Sequence, residues 1–423
     1  MHGSVASHPL LRTIACVVVA GVLVVGCAQP EPHVVLPEQA IGEPAFVTTV
    51  EAHTGAPVVA GNTVDLLLNG DEFFPAMLKE IRGARETINY AQYSWADGPV
   101  SRDISEALAE RCRAGVAVNL LLDAVGTSAM PTEYIDLIRR AGCRVEHFRP
   151  VSRAALHRFN YRNHRRLLVV DGRAGFTGGS GVSEKWMGNG RTKGRWRETD
   201  ARVQGPIVAF LQGTFADSWR TETGIVLGGR AHFPSADPAP RGVRAQVVRS
   251  SPAGGSFDVY TMYLLAIAGA RRTINMTNPY FVPDGTMEDA LVKAARRGVR
   301  VTVLVPGEID HNLVRQASRR GFGPLLLAGI QIHEYRAGLL HAKTMVVDGE
   351  WATLGSTNVD NRSFALNDEM NLVVYDRGVA GRLDRVFAED VRHAARVDYE
   401  TWRARPFRDR VIETLALPIR DLL

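Results

Sequence analysis

The hydrophobic pattern of this chain occurs twice. An amphipathic stretch ends at "GAR", 83–85, and a strand-like run follows, "TINYAQY" at 87–93. The same pair recurs as "GAR" at 269–271 and "TINMTNPYF" at 273–281. In each place a second helical stretch closes on a glycine suited to a helix end, Gly115 or Gly298, and an aliphatic run follows, "VAVNLLL" or "VRVTVLV". A third helix ends at Gly142 or Gly329, before "CRVEHF" or "IQIHEY". Strands alternating with helices predict largely parallel βαβ units. Because the blocks keep their order, the chain reads as two copies of one α/β unit. The pattern places the first repeat at 61–227, a Gly/Pro-rich linker at 228–244, the second repeat at 245–395 and a helical tail at 396–423.

After its third helix each copy carries a further matching stretch, "NHRRLLVVDG" at 163–172 and "LHAKTMVVDG" at 340–349. Four apolar residues predict a buried strand, with a histidine at its entrance and an aspartate at its exit. Period-two alternation puts His341 and Lys343 on one face. A cation beside a histidine can hold a phosphate oxygen. If the two copies pack about a pseudo-twofold axis, His164 and His341 meet across a shared cleft and supply a nucleophile–acid pair. Ser356 and Asn358, beyond the turn of the second copy, can donate to phosphoryl oxygens or orient the histidine.

Composition changes this picture little. The chain has 423 residues and is 45% hydrophobic, enough for one large or two medium cores. A formal charge of +5 and a pI near 9.1 fit an anionic partner, but on charge alone an ordinary solvated surface is the better reading. The N-terminus adds more. Arg12 precedes "IACVVVAGVLVVG" at 14–26, a run shorter than the ~20 residues of a membrane-spanning helix. Its length suits the apolar core of a signal peptide. Its end, "VVGC", resembles a bacterial lipobox, which implies a signal peptide over 1–26, lipidation at Cys27 and a tether over 27–60. The later sequence has no apolar run long enough to cross a membrane. Cys112 and Cys143 each stand just before a strand-like run; a disulfide and two separate buried thiols both fit. No cysteine or histidine spacing suggests a metal site.

The paired motifs identify a resemblance to the phospholipase D superfamily, whose mark is H-x-K-x4-D in two copies. "HAKTMVVDGEWATLGSTNVDNRSFALNDEMN" matches closely, including Gly355, Ser356, Asn358 and the downstream acid Glu369. Within the superfamily the chain looks most like bacterial cardiolipin synthases, through "NPYFVPDG", "NVDNRSFALNDE" and the tail "WRARPFRDRVIETLALPIRDLL". The resemblance implies an α/β phospholipase D fold of two α/β/α repeats with the active site between them. It implies phosphatidyl transfer through a phosphohistidine, with hydrolysis of the same bond, by a phospholipase D or a nuclease, as the alternative. The implied catalytic set is His164, Arg166, Asp171, His341, Lys343 and Asp348, with Ser356, Asn358 and Glu369 toward substrate. His164 is the expected nucleophile, His341 the acid, and both aspartates are expected to hold the histidines or the basic groups. No cofactor or metal is implied. The expected partners are anionic phospholipid, above all phosphatidylglycerol, and a membrane reached through the lipid anchor on the extracytoplasmic side of a bacterial envelope. No nucleic acid and no obligate protein partner are expected. Two positions depart from the pattern: Arg166 stands where the family has lysine, and Gly179 and Gly181 stand where the second copy has Ser356 and Asn358.

Overall fold

The computed structural model describes residues 34–150, 160–236, 238–310 and 312–415. Cys27, the expected signal peptide and the last eight residues of the expected tail lie outside them. In the first half the strands are β1 (Val59–Leu68), β2 (Thr87–Gln92), β3 (Ala117–Asp123), β4 (Arg144–Phe148), β5 (Leu167–Val170), β6 (Ala174–Gly178), β7 (Trp196–Arg197) and β8 (Thr199–Gln204). In the second they are β9 (Val243–Ser250), β10 (Thr273–Thr277), β11 (Arg300–Pro306), β12 (Gln331–Tyr335), β13 (Leu339–Leu340), β14 (Thr344–Val347), β15 (Trp351–Gly355), β16 (Glu369–Tyr375) and β17 (Ala394–Arg396). Fifteen of these form one continuous sheet in the order β17-β12-β11-β10-β14-β15-β16-β9-β1-β8-β6-β5-β2-β3-β4. Read outward from the β9–β1 seam the order is the same in both directions, with β17 as an extra edge strand. The two copies are therefore related by a pseudo-twofold axis at an antiparallel seam, where Val59 faces Ala245 and Asn62 faces Val243.

The sheet is parallel only in part. β2, β3 and β4 run parallel, as do β10, β11 and β12. The strands that follow each histidine, β5 and β14, run antiparallel to β2 and β10. The "DG" that ends each motif sets the next pairing, which is antiparallel as well. Asp171 and Gly172 have φ of 52° and 61°, and Asp348 and Gly349 have 56° and 68°. Aspartate and glycine tolerate this left-handed region, so each motif closes a tight hairpin into β6 or β15 instead of crossing over to a parallel neighbour. All four residues of β5 and of β14 are buried, as befits central strands covered on both faces.

Helices cover both faces of the sheet. On one face of the first half, Phe73, Met77 and Ile81 of helix Asn69–Gly83 join Ile104 and Leu108 of helix Pro99–Arg113 over Ile88, Leu120 and Leu168. On the other face, helix Val208–Thr223 presents Leu211, Phe215 and Trp219, all fully buried. That cluster takes in Leu354, Met370 and Leu372 from the second half, so the two copies share a core. Burying side chains of this size stabilises by roughly 1.5–3 kcal/mol each.

The segment expected to be tether contains a helix, Pro44–Thr54. Phe46, Val50 and Thr54 recur at the i, i+4, i+8 spacing of one helix face and are buried. Pro44 opens the helix, and Gly55 closes it in the left-handed region, its N–H bonding the Glu51 carbonyl at 2.9 Å. At the other end, helices Tyr399–Arg403 and Phe407–Leu415 lie in the expected tail. Among the described residues no helix is long and apolar enough to cross a membrane.

Cys112, at the end of helix Pro99–Arg113, and Cys143, before β4, form a disulfide with Cα atoms 5.6 Å apart. The parallel pairing of β3 and β4 brings the two ends together. The bridge closes a loop of 31 residues. Replacing both cysteines by alanine is expected to lower the unfolding free energy by about 3–4 kcal/mol. Urea denaturation of the oxidised wild type against the double variant measures this, and equal midpoints would show that the bridge contributes nothing.

Candidate active site

Each histidine is held by the opposite repeat. The His164 N–H donates to the Asp368 carbonyl at 2.9 Å, and the Asp368 N–H returns to the Arg162 carbonyl at 2.8 Å. In the mirror position the His341 N–H donates to the Arg197 carbonyl at 2.8 Å, extending the short parallel pair of β13 with β7. Asp368 and Arg197 each precede a glutamate. Glu369 accepts from His164 Nδ1 at 2.8 Å, and Glu198 accepts from His341 Nδ1 at 2.6 Å. Both glutamates are fully buried. An ionised carboxylate can only accept, so Nδ1 carries the proton and Nε2 keeps its lone pair.

Each Nε2 faces a cation from its own repeat. Arg166 Nη2 lies 3.0 Å from His164 Nε2, and Nη1 donates to the His164 carbonyl at 3.1 Å. Lys343 Nζ lies 3.1 Å from His341 Nε2 and 2.9 Å from its Nδ1, and donates to the His341 carbonyl at 2.6 Å. Arginine thus makes the same two contacts as lysine. Its larger head is accommodated by Tyr93, whose ring the guanidinium covers at 5.3 Å and which also meets the His164 ring edge-on. Arg166 Nε is buried with no hydrogen-bond partner among the described residues. Trp186, Trp196 and Tyr280 pack around the His341 ring.

The two aspartates of the motifs lie elsewhere. Asp171 accepts from the backbone N–H groups of Arg85, Glu86 and Thr87, and Asp348 from those of Arg271, Arg272 and Thr273. The expectation that they hold the histidines or basic groups is corrected: they fasten the far end of each strand to the start of β2 or β10. A carboxylate seven residues from its histidine along an extended strand stands roughly 20 Å away.

Two of the three residues expected to face substrate are also occupied by the protein. The Ser356 hydroxyl donates to Glu369 Oε2 and accepts from the Met370 N–H, and Glu369 is committed to His164. Both position the histidine. Asn358 is buried and its amide oxygen has no partner among the described residues, so it keeps an unused acceptor.

Glu198 was not among the residues singled out in the sequence. It corresponds to Glu369, and the signal was present, since "ETD" and "EMN" each open a long antiparallel strand after the motif. The structure also accounts for the glycines of the first copy. A Cβ on Gly179 would stand 2.6 Å from Glu198 Oε2, and one on Gly181 would stand 2.6 Å from the Trp186 ring. Where Ser356 holds Glu369 in one half, the carboxylate of Glu198 fills the space over Gly179 in the other, and its second oxygen takes the Thr199 N–H at 3.0 Å.

Burial sets the electrostatics. His164 is pushed down to about 4, by burial first and then by Arg166, against the opposing pull of Glu369. His341 is pushed down to about 3 by burial and Lys343, against Glu198. Burial also brings Lys343 down to about 7, with Glu198 opposing. Glu198 is pushed up by burial, but Lys343 and the His341 bond outweigh this and hold it at about 2. Glu369 is lowered in the same way by His164.

A family profile described as "Cardiolipin synthase, PLD-like domain" matches residues 77–196 and again 263–391. The chain is 36% identical over 373 residues to a cardiolipin synthase of Geobacillus kaustophilus, covering 87% of this chain and 74% of the relative. It is 34% identical over 370 residues to the major cardiolipin synthase of Bacillus subtilis, with 86% and 76% coverage. Cardiolipin synthase A of Pseudomonas fluorescens is 36% identical over 353 residues, with 82% and 72% coverage. Among solved structures, phosphatidylserine synthase of Haemophilus influenzae superposes with a TM-score of 0.66 at 13% identity, over 89% of this chain and all of that one. At that identity the likeness speaks to the fold alone.

The buried histidines make stability depend on pH. Their ordinary value is 6.5, and both are lowered in the folded protein, so the unfolded chain takes up protons first. Stability from these groups is present above about 6.5 and is lost as pH falls toward 4 and then 3. The denaturation midpoint of the wild type is expected to fall through this window. In a His164→Ala/His341→Ala variant the fall between pH 6.5 and 4 should be smaller, and an identical fall would contradict the assignment.

Proposed function

The chain belongs to the cardiolipin synthase family of phospholipase D-like enzymes, and we propose that it transfers a phosphatidyl group from one phosphatidylglycerol to the head-group glycerol of another. The observation that carries this reading is the pair of histidines from opposite repeats, each with Nδ1 on a buried carboxylate and Nε2 beside a cation. Such a pair can act twice on one phosphorus, once on entry and once on release.

In this mechanism His164 Nε2 attacks the phosphorus and the bond to the head-group glycerol oxygen breaks. His341 gives that oxygen its proton, and glycerol leaves. The resulting phosphohistidine carries the phosphatidyl group. The terminal hydroxyl of a second phosphatidylglycerol loses its proton to His341 and attacks the phosphorus, releasing cardiolipin and restoring both histidines. Arg166 and Lys343 neutralise the non-bridging oxygens as charge gathers on them. Asn358, whose amide oxygen has no partner among the described residues, is the remaining candidate for substrate contact, where it would accept from a head-group hydroxyl.

Charge balance provides the acid. Glu198 and Glu369 together carry two negative charges, and Arg166 with a protonated Lys343 carries two positive ones, which balance with both histidines neutral. A bound phosphodiester adds one negative charge at the centre. This favours uptake of one proton, which His341 then has to give. The same anion holds Lys343 in its charged form.

The reading extends to location. Lipidation at Cys27 would hold the catalytic body beside a membrane on the extracytoplasmic side, with acyl chains left in the bilayer. The Cys112–Cys143 bridge supports such an oxidising compartment.

Purified protein incubated with phosphatidylglycerol vesicles is expected to yield cardiolipin and glycerol in equal amounts by mass spectrometry. Arg166→Lys should retain most turnover. Arg166→Ala should lose on the order of 10²-fold or more, the scale of a removed transition-state donor. Phosphatidic acid as the product would make the enzyme a hydrolase, and unchanged lipid would reject the reading.

A further inference from the structure

On the opposite side of the histidine strand lies a second charged cavity, of about 680 Å³. Its lining includes Arg149, Arg165, Arg220 and Arg249, facing the carboxylates of Asp217 and Asp258. Four cations against two carboxylates leave a net positive interior. Asp217 pairs with Arg220 at 3.2 Å, and Asp258 accepts from Ser256 at 2.8 Å. The cavity is large enough for a head group or a small phosphorylated metabolite. Arginine forks suit phosphate oxygens.

The cavity connects to the catalytic scaffold at two points. Arg165 stands between His164 and Arg166 in sequence, and alternation turns it to the other face. It is buried and donates to the Glu369 carbonyl at 3.3 Å, to Ser218 Oγ at 2.8 Å and to the Ser250 carbonyl at 2.9 Å. Ser251, also in the lining, donates to Asp368 at 2.7 Å, and the Asp368 carbonyl receives the His164 N–H. Both links end on the two residues that hold His164.

One further feature sets the cavity apart from an accidental gap. Gly213 sits inside helix Val208–Thr223 and lines the cavity, yet a Cβ there would meet nothing within 4 Å. Close packing therefore does not demand glycine, and glycine is the poorest helix former after proline. Its effect is to leave the cavity open below Arg249, whose Nη1 reaches the Gly213 carbonyl at 3.5 Å.

We propose that this arginine-lined cavity is a second, non-catalytic site for a phosphate ester anion, supplied either by a lipid head group or by a soluble ester. The probes are sn-glycerol 3-phosphate and short-chain phosphatidic acid below its micellar concentration. Both are monoesters that lack the diester bond on which the proposed transfer acts. Titration calorimetry on the full chain is expected to show two sites for at least one of them. Arg220→Gln/Arg249→Gln removes charge from exposed positions, and Gly213→Phe fills the space without changing charge. Each should weaken one of the two sites at least about tenfold, the size of a lost charged contact, and leave turnover of phosphatidylglycerol in place. Loss seen with phosphatidic acid alone assigns the site to lipid, and loss seen with glycerol phosphate assigns it to soluble esters. A single site in the wild type for both probes, or variants that bind as the wild type does, would overturn the proposal.

Discussion

The crossed pairing of histidine and glutamate is the constraint on which the rest of the molecule depends. Glu369 serves the histidine of the first repeat and Glu198 that of the second. Neither repeat alone can orient its own imidazole. The backbone enforces the exchange, because each histidine N–H is bonded to the residue just before the other repeat's glutamate. A one-residue slip in either crossing would move both the backbone bond and the carboxylate. Burying two carboxylates and two cations is costly unless each is matched, and here each finds a partner across the seam. The continuous sheet through β1 and β9 and the shared core under helix Val208–Thr223 keep that match in register.

Symmetry places the groups, and small departures from it give the two half-sites different surroundings. The His164 side has Arg166 over Tyr93, and its carboxylate is steadied by Ser356. The His341 side has Lys343, three aromatic rings, and a carboxylate seated over Gly179. Two steps that need a nucleophile and an acid are served by such inequality, since identical environments would give both histidines the same preference. The "GGSG" of the first motif is therefore a matter of space: Glu198 and Trp186 occupy what side chains would fill.

Much of this was legible in the sequence. Hydrophobic periodicity exposed the repeat, and the repeat brought His164, Arg166, His341 and Lys343 into one argument. Local chemistry was harder to read where distance along the strand mattered. Asp171 and Asp348 share a motif with the histidines yet lie at the other end of a buried strand, and their carboxylates serve backbone amides. Glu198 lies 34 residues after His164 and Glu369 lies 28 after His341, so a fixed spacing does not find both. The exchange itself is a property of the seam between the repeats, which no single segment encodes. The helix Pro44–Thr54 was marked by Pro44, Gly55 and the Phe46–Val50 spacing, but its surroundings are proline-rich and read as tether.

The crossed arrangement is tested most directly by double-mutant cycles on unfolding free energy. Glutamates are changed to glutamine and histidines to alanine, singly and in pairs. The account predicts coupling on the order of 1–3 kcal/mol for His164 with Glu369 and for His341 with Glu198. It predicts much weaker coupling for His164 with Glu198 and for His341 with Glu369. Stronger coupling within each repeat than between the repeats would contradict it.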